Sequence, residues 1–195
     1  MRIVAYTSVT DAAVPVGFGA VLLAHLDAIR NPVQARRSCS AWQLLADVLQ
    51  AEGIYPLPQV AFSSAGKPYF PGNPYYFSIT HSKELCAVSL ADVPTGVDIE
   101  YRRNMYASAL IDRVLSAKEK RVYDGDFPKL WCRKECIVKL TGCGLDESPD
   151  GVDTHDPNYR FSEWIVETGE NTKYQLSAAF LGSQEEEPVK ILDLR

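Results

Sequence analysis

WCRKECIVK, residues Trp131 to Lys139, is the stretch around which the rest of the chain is organised. A helix turns about 100° per residue, so Leu130, Trp131, Ile137 and Val138 fall within roughly a third of its circumference and form the expected buried face. Glu135 lies just beyond the Trp131 and Val138 edge of that face, and Lys139 about 40° further round and one turn on. An acid and a base thus share the rim where core meets solvent. In isolation this spacing is an i,i+4 ion pair on an amphipathic helix.

Upstream, GVDIE (Gly96 to Glu100) alternates, so Asp98 and Glu100 share one face about 7 Å apart while Val97 and Ile99 anchor the other. With Glu135 this places three carboxylates on rigid elements, a donor set suited to a hard, oxygen-seeking cation, of which magnesium is the favoured choice. SITHS (Ser78 to Ser82) sits at the end of a strand, and His81 is flanked by the hydroxyls of Thr80 and Ser82, a grouping suited to phosphate oxygens. Asp146, Ser148, Asp150 and Gly151 imitate the start of a calcium loop, but its twelfth position is Pro157 and not the bidentate glutamate.

Around these motifs the chain alternates between helix and strand signals. Ile3 to Ser8 reads as a first strand. Asn31 caps a helix with Pro32 at its first position, running through RRSCSAWQLLADVL with the stripe Ala41, Leu44, Leu45, Val48 and Leu49 and stopping before Gly53. YYFSIT, ELCAVSL and GVDIE follow as strands. A second helix is expected over Ala107 to Val122, with a boundary signal at Ser116 and Glu119. The central helix follows Asp126 to Pro128, and Gly142, Gly144, Pro149 and Gly151 then interrupt regularity. FSEWIVET, KYQLSAAF and VKILDLR close the chain as strands, and Glu185 to Glu187 reads as a solvated loop. This predicts an α+β fold of two similar helix-plus-antiparallel-sheet halves, residues 1–96 and 97–195, with the metal and catalytic motifs in the second.

The 195 residues are 46% hydrophobic and 23% charged, as in an ordinary globular protein. A net charge of -5 excludes a general nucleic-acid binder. The basic residues are nevertheless grouped, at Arg30, Arg36 and Arg37, at Arg102 and Arg103, from Lys118 to Arg121 and from Lys129 to Lys139, which suits a discrete polyanionic ligand or a small acidic partner. Five cysteines without paired CxxC spacing predict free thiols in a reducing, cytoplasmic setting. The apolar run Ala12 to Leu26 is broken by Pro15, Gly17 and Gly19, is too short to span a bilayer, and reads as core; no membrane association is expected.

GKP with SITHS, then GVDIE, then WCRKECIVKLTGCGL, in that order over roughly residues 30 to 180, resembles the 4'-phosphopantetheinyl transferase superfamily, in particular its single-chain pseudodimeric, surfactin-synthetase-activating type. The resemblance implies a holo-[acyl-carrier-protein] synthase activity: Mg²⁺-dependent transfer of 4'-phosphopantetheine from coenzyme A to a serine of an apo acyl or peptidyl carrier protein in fatty acid, polyketide or nonribosomal peptide synthesis. It further implies Asp98, Glu100 and Glu135 on the metal, with Mn²⁺ as a substitute. Lys139 and Lys134 would stand at phosphate and the pantetheine side, His81 at a coenzyme A phosphate, and Lys67 and Arg37 at the adenosine 3'-phosphate. The carrier would be a small acidic helical domain, and the enzyme a monomer.

The residue types suit the chemistry. A serine hydroxyl attacks the β-phosphorus and expels adenosine 3',5'-bisphosphate, whose terminal phosphate has a second pKa near 6 and needs little acid to leave. The hydroxyl does need a base, worth about 10² to 10⁴ in rate, for which Glu135 is the candidate, with Lys139 stabilising phosphate charge. Two departures from the family pattern, Thr80 for the usual first serine and Cys143 where lysine is usual in GKGL, leave room for a coenzyme A-binding regulator. A metal-dependent phosphohydrolase would use the same carboxylates but needs no basic apparatus for a 3'-phosphate.

Overall fold

A computed structural model describes residues 1–143, 149–169, 171–182 and 188–195. Gly144, the Asp146 and Ser148 positions of the calcium-loop imitation, and the Glu185 to Glu187 run lie outside them.

Two-sided alternation sets the layering. In β1 (Arg2–Ser8), Ile3 and Ala5 face one apolar cluster while Val4 and Tyr6 face another. β5 (Leu85–Ala91) does the same, with Cys86, Val88 and Leu90 on the first side and Leu85, Ala87 and Ala91 on the second. Strands apolar on both faces must be covered on both. β1 and β5 pair antiparallel, β4 (Tyr76–Ser82) pairs antiparallel with β5, and β9 (Lys190–Asp193) lies parallel to β1, giving the order β4-β5-β1-β9, while β2 (Ala61–Phe62) and β3 (Pro68–Tyr69) form a separate antiparallel pair. A second antiparallel sheet has the order β6-β8-β7, from β6 (Thr95–Tyr101), β7 (Tyr159–Thr168) and β8 (Thr172–Leu181).

The inner faces of the two sheets meet through Val4, Tyr6, Leu85 and Ala87 against Val97, Ile99, Leu176, Ala178 and Phe180. α1 (Ala20–Asp27) and α2 (Pro32–Ala51) cover the outer face of the first sheet, and α4 (Phe127–Thr141) that of the second. The order is helix, sheet, sheet, helix, a mixed α+β architecture. α2 begins as its sequence requires, the Asn31 side chain accepting from the Val33 and Gln34 amides at 3.0 and 3.2 Å. The stripe Ala41, Leu44, Leu45, Val48 and Leu49 is buried. Of the Ala12 to Leu26 run, Pro15, Phe18, Leu22 and Leu26 are buried, whereas Val14 and Val21 are exposed.

Two expectations change. The helix over Ala107 to Val122 is interrupted: α3 (Ser108–Val114) ends, and one 3₁₀ turn follows at Glu119–Arg121. The boundary is a reciprocal cap, the Glu119 carboxylate accepting from the Ser116 amide at 2.9 Å and the Ser116 hydroxyl from the Glu119 amide at 3.2 Å. The expected apolar face of α4 is also rotated, since Cys132, Cys136, Ile137 and Leu140 are buried while Leu130, Trp131 and Val138 are only partly covered. The centre shifts by roughly 130° around the axis. The cause is close packing: a Cβ at Gly96 would stand 2.0 Å from the Cys136 carbonyl oxygen, so bare backbone at β6 admits the helix, and small thiols fill the contact. Gly142 ends α4 in the left-handed region, φ 73°.

Among the described residues no helix is long and apolar enough to cross a membrane. All five cysteines are free thiols.

Candidate active site

The site begins with a ladder of hydroxyls. Alternation in β4 puts Ser78, Thr80 and Ser82 on the side facing β6 of the other sheet. Ser78 Oγ accepts from the Val97 amide at 3.1 Å, Thr80 Oγ1 donates to Asp98 Oδ1 at 2.9 Å, and Ser82 Oγ accepts from the Tyr101 amide at 3.2 Å and donates to Glu100 at 3.4 Å. The hydroxyls beside His81 therefore hold carboxylates and backbone, a correction to their reading as phosphate ligands. The two-residue period of S-I-T-H-S carried the signal. Thr80 keeps the bonding oxygen a serine would supply.

β6 delivers its acids as the alternation requires, with Val97 and Ile99 buried between the sheets and Asp98 and Glu100 on the opposite face. Asp98 is 7% exposed and Glu100 half-buried. α4 brings Glu135 and Lys139 to the same place. Lys139 Nζ donates to Asp98 Oδ1 at 2.7 Å, to Thr80 Oγ1 at 3.0 Å and to the Val97 carbonyl at 3.1 Å, so the ion pair it makes joins helix to strand and is not the i,i+4 pair with Glu135. Burial opposes the Lys139 charge, but Asp98 outweighs it and holds the ammonium above its ordinary range.

Asp98, Glu100, Glu135, Lys139, His81 and Trp131 line one cleft of about 440 Å³. Burial pushes the Glu135 carboxyl up, and Asp98 and Glu100 add to the shift against the opposing pull of Lys139. Burial and then Asp98 likewise push up Glu100. Three carboxylates so disposed repel one another and favour a cation among them. Among the described residues no three His, Cys, Asp or Glu side chains are already grouped at ligating distance. The fit is one of donor chemistry: hard oxygens and surplus negative charge.

Ile79 and Lys139 also line an adjoining pocket of about 260 Å³ with Lys67, Gly66, Pro68 and Gly142, so the cleft continues toward the GKP turn. Lys67 Nζ donates to the Leu140 carbonyl at 2.6 Å near the C-terminal end of α4, and burial lowers its pKa. Burial, and then Lys139 and Arg37, hold His81 below its ordinary range and keep the imidazole neutral. Arg37 donates through Nε to the Lys83 carbonyl at 2.8 Å, while its neighbour Arg36 is engaged with Asp11 at 3.0 Å. At the other end Glu100 and Trp131 share a third cavity with Arg103, Tyr106, Leu110 and Phe127; sequence reasoning missed these aromatic and aliphatic walls, because they come from the loop before α3, from α3 and from the start of α4 and share no periodicity.

One expected site residue is elsewhere. Lys134 is 2% exposed, and its ammonium donates to Glu119 at 2.7 Å and to the carbonyls of Pro149 and Val152 at 2.8 and 2.7 Å. All three of its N–H groups are committed inside the protein. Glu119 was noted in the sequence only as a boundary signal, and its pairing with Lys134 had no local trace. Cys143 is exposed beyond the end of α4.

Residues 94–186 match the family model described as 4'-phosphopantetheinyl transferase superfamily. The chain is 33% identical over 122 residues to "4'-phosphopantetheinyl transferase AcpT" of Salmonella typhi, covering 57% of this chain and 62% of that protein. It is 28% identical over 124 residues to "4'-phosphopantetheinyl transferase psf-1" of Bacillus pumilus, covering 58% and 53%. The matches thus span less than two thirds of these relatives. GVDIE and WCRKECIVK both lie inside the matched segment, and their carboxylates face one cleft, so residues 94–186 are similar to the 4'-phosphopantetheinyl transferase superfamily in both motif and placement of the motif's acids.

Proposed function

We propose that the chain transfers the 4'-phosphopantetheine of coenzyme A to a serine of an apo acyl or peptidyl carrier protein. The observation that carries this reading is the convergence of Asp98, Glu100 and Glu135 with Lys139 and His81 on one cleft that runs on to Lys67. Two helix-on-sheet layers stand as the two related halves, with the cleft at their seam.

Asp98, Glu100 and Glu135 would hold Mg²⁺, or Mn²⁺ in its place, which when bound supplies positive charge to the pyrophosphate. The chain's own groups do the rest. Lys139 stays charged and lies at the cleft wall, where it neutralises phosphate oxygens as charge builds on them. His81, neutral in the free protein, donates an N–H to a coenzyme A phosphate and gains affinity for its second proton as that anion approaches. Lys67, with Arg37 further out, takes the adenosine 3'-phosphate. Glu135, displaced toward the basic side of the carboxylate range by burial and like charge, accepts the proton of the attacking serine. The serine Oγ–P bond forms, the bond from the β-phosphorus to the bridging oxygen breaks, and adenosine 3',5'-bisphosphate departs with that oxygen on its 5'-phosphate, a dianion that needs little help from an acid. Arg103, in the cavity that shares Glu100 and Trp131 with this cleft, and Lys120 and Arg121, in the turn that follows α3, are exposed and would supply local positive charge to an acidic carrier. The setting expected is cytoplasmic, the enzyme a monomer.

Incubating the protein with coenzyme A, Mg²⁺ and several apo-carriers and weighing the carriers tests the reading. The expected result is a gain of one phosphopantetheine on the carrier with release of adenosine 3',5'-bisphosphate. Coenzyme A consumed without a heavier carrier identifies a hydrolase, and coenzyme A bound but unchanged identifies a binding protein; either overturns the proposal.

A further inference from the structure

α4 is fastened on several sides. The Cys132 and Cys136 thiols point at the carbonyls of Gln175 and Ser177 on β8, at 3.7 and 3.0 Å. Arg133 makes a two-pronged bond to Glu163 on β7 at 2.9 and 2.7 Å. Away from the sheet stands Lys134, whose partner Glu119 is saturated as well: it accepts from Lys134, from the Ser116 amide at 2.9 Å, and from the Thr154 hydroxyl and amide at 2.7 and 3.4 Å. The two side chains are 3% and 1% exposed.

A fully buried pair is not by itself a stabilising device, because well-packed apolar residues of equal volume serve as well or better. What it does supply is direction. Three bonds from Lys134, a residue adjacent in the chain to Glu135, join α4 to Glu119 and to the Pro149 and Val152 carbonyls, and three more tie Glu119 to the Ser116 amide and to the Thr154 amide and hydroxyl. Successive helical residues are set about 100° apart, so anchoring Lys134 on one side fixes where Glu135 emerges. A roll of 10° at a carboxyl about 6 Å from the helix axis moves it about 1 Å, and a misplacement of that size can cost about 10² in rate.

We propose that Lys134 is a positioning residue: its buried pair with Glu119 sets the roll of α4 and thereby holds Glu135 in the cleft beside Asp98 and Glu100. This use of the pair rests on the proposed transfer reaction. It also separates the two lysines of WCRKECIVK, one meeting the cofactor and the other aiming the acid.

A double-mutant cycle over K134M and E119L tests it, read by thermal melting, by kcat and KM for coenzyme A, by the Mg²⁺ concentration giving half-maximal rate, and by Mn²⁺ binding followed by electron paramagnetic resonance without carrier. Each single variant should melt lower than the native protein, since it leaves one charge buried alone, and the double variant should recover most of that loss. If the single variants do not fold, the double variant alone carries the test. In the folded double variant kcat is expected to stay about tenfold or more below native, with Mn²⁺ binding weakened several-fold and KM for coenzyme A within about twofold of native. A double variant that recovers melting temperature, kcat and Mn²⁺ affinity together reduces the pair to a fold element and overturns the proposal. So does K134M raising KM for coenzyme A about tenfold while E119L leaves it alone, because Lys134 then meets the cofactor. Absence of transfer by the native protein counts against the reaction only; the Mn²⁺ comparison still reads the pair.

Discussion

Lys134 and Lys139 stand five residues apart on one helix, and each ammonium has one carboxylate and two further oxygen acceptors, yet they serve opposite ends. Lys139 is 29% exposed at the wall of a cleft, where its bonds to Asp98, Thr80 and Val97 can be exchanged for those of an incoming anion. Lys134 is sealed at 3%, and exchange there would expose a charge to a low-dielectric interior. Similar ligation thus stands open to solvent in one place and sealed in the other, and that access separates the proposed reagent from the proposed strut.

The strongest way to sharpen this contrast is the acid between them. Glu135→Gln keeps size and hydrogen bonding but removes a charge and the base, so transfer is expected to fall by about 10² to 10⁴ with an unchanged melting temperature. Normal turnover in a carrier-mass assay would remove Glu135 from the chemistry. Next come the lysines themselves. Lys134→Met should destabilise by about 3 to 5 kcal/mol because it strands buried Glu119, whereas Lys139→Met should cost clearly less stability in urea titration while slowing transfer more per folded molecule. Equal losses of stability would erase the distinction drawn between open and sealed sites.

A smaller effect tests the far end of the cleft. Lys67→Ala and Arg37→Ala should each raise KM for coenzyme A about ten- to a hundredfold, the worth of a charged hydrogen bond to phosphate, and should leave KM for 3'-dephospho-coenzyme A nearly unchanged. Parallel increases for both cofactors would move the 3'-phosphate elsewhere. The smallest effect is one of pH. Burial alone would push the Glu119 carboxyl up, but Lys134, Thr154 and the Ser116 amide together hold it below its ordinary value. A carboxylate depressed in the folded state contributes stability above its unfolded pKa and loses it as pH falls through the folded one. Melting temperature should therefore decline on acidification below about pH 4.5, with a shallower decline in the E119L/K134M protein; identical slopes would show that the pair does not titrate with folding.

Much of this was legible in the chain. Short apolar runs located β1 and β5, period-two alternation in β6 put Asp98 and Glu100 on one face, and the Asn31-Pro32 start of α2 was readable because caps are local chemistry. The roll of α4 was not, because hydropathy ranks Leu130, Trp131 and Val138 above Cys132 and Cys136, while the choice was made by Gly96, thirty-six and more residues upstream, which gives way only to small side chains. Lys134 was misread for the same reason. A motif reports that a lysine is required and not what it touches, and its partner lies beyond an irregular segment that no periodicity marks. The wall formed by Tyr106, Leu110 and Phe127 likewise draws on separate stretches of chain that only the fold brings together.

The parallel seat of β9 beside β1 has a consequence for biosynthesis. At about 5 to 20 residues per second, Lys190–Asp193 leaves the ribosome roughly ten to forty seconds after β1. Throughout that interval one flank of the first sheet offers unpaired amides and carbonyls, backed by Ile3, Val4 and Ala5, to any extended segment that happens to pass. The nascent chain is therefore open to mispairing along β1 until β9 emerges to close it.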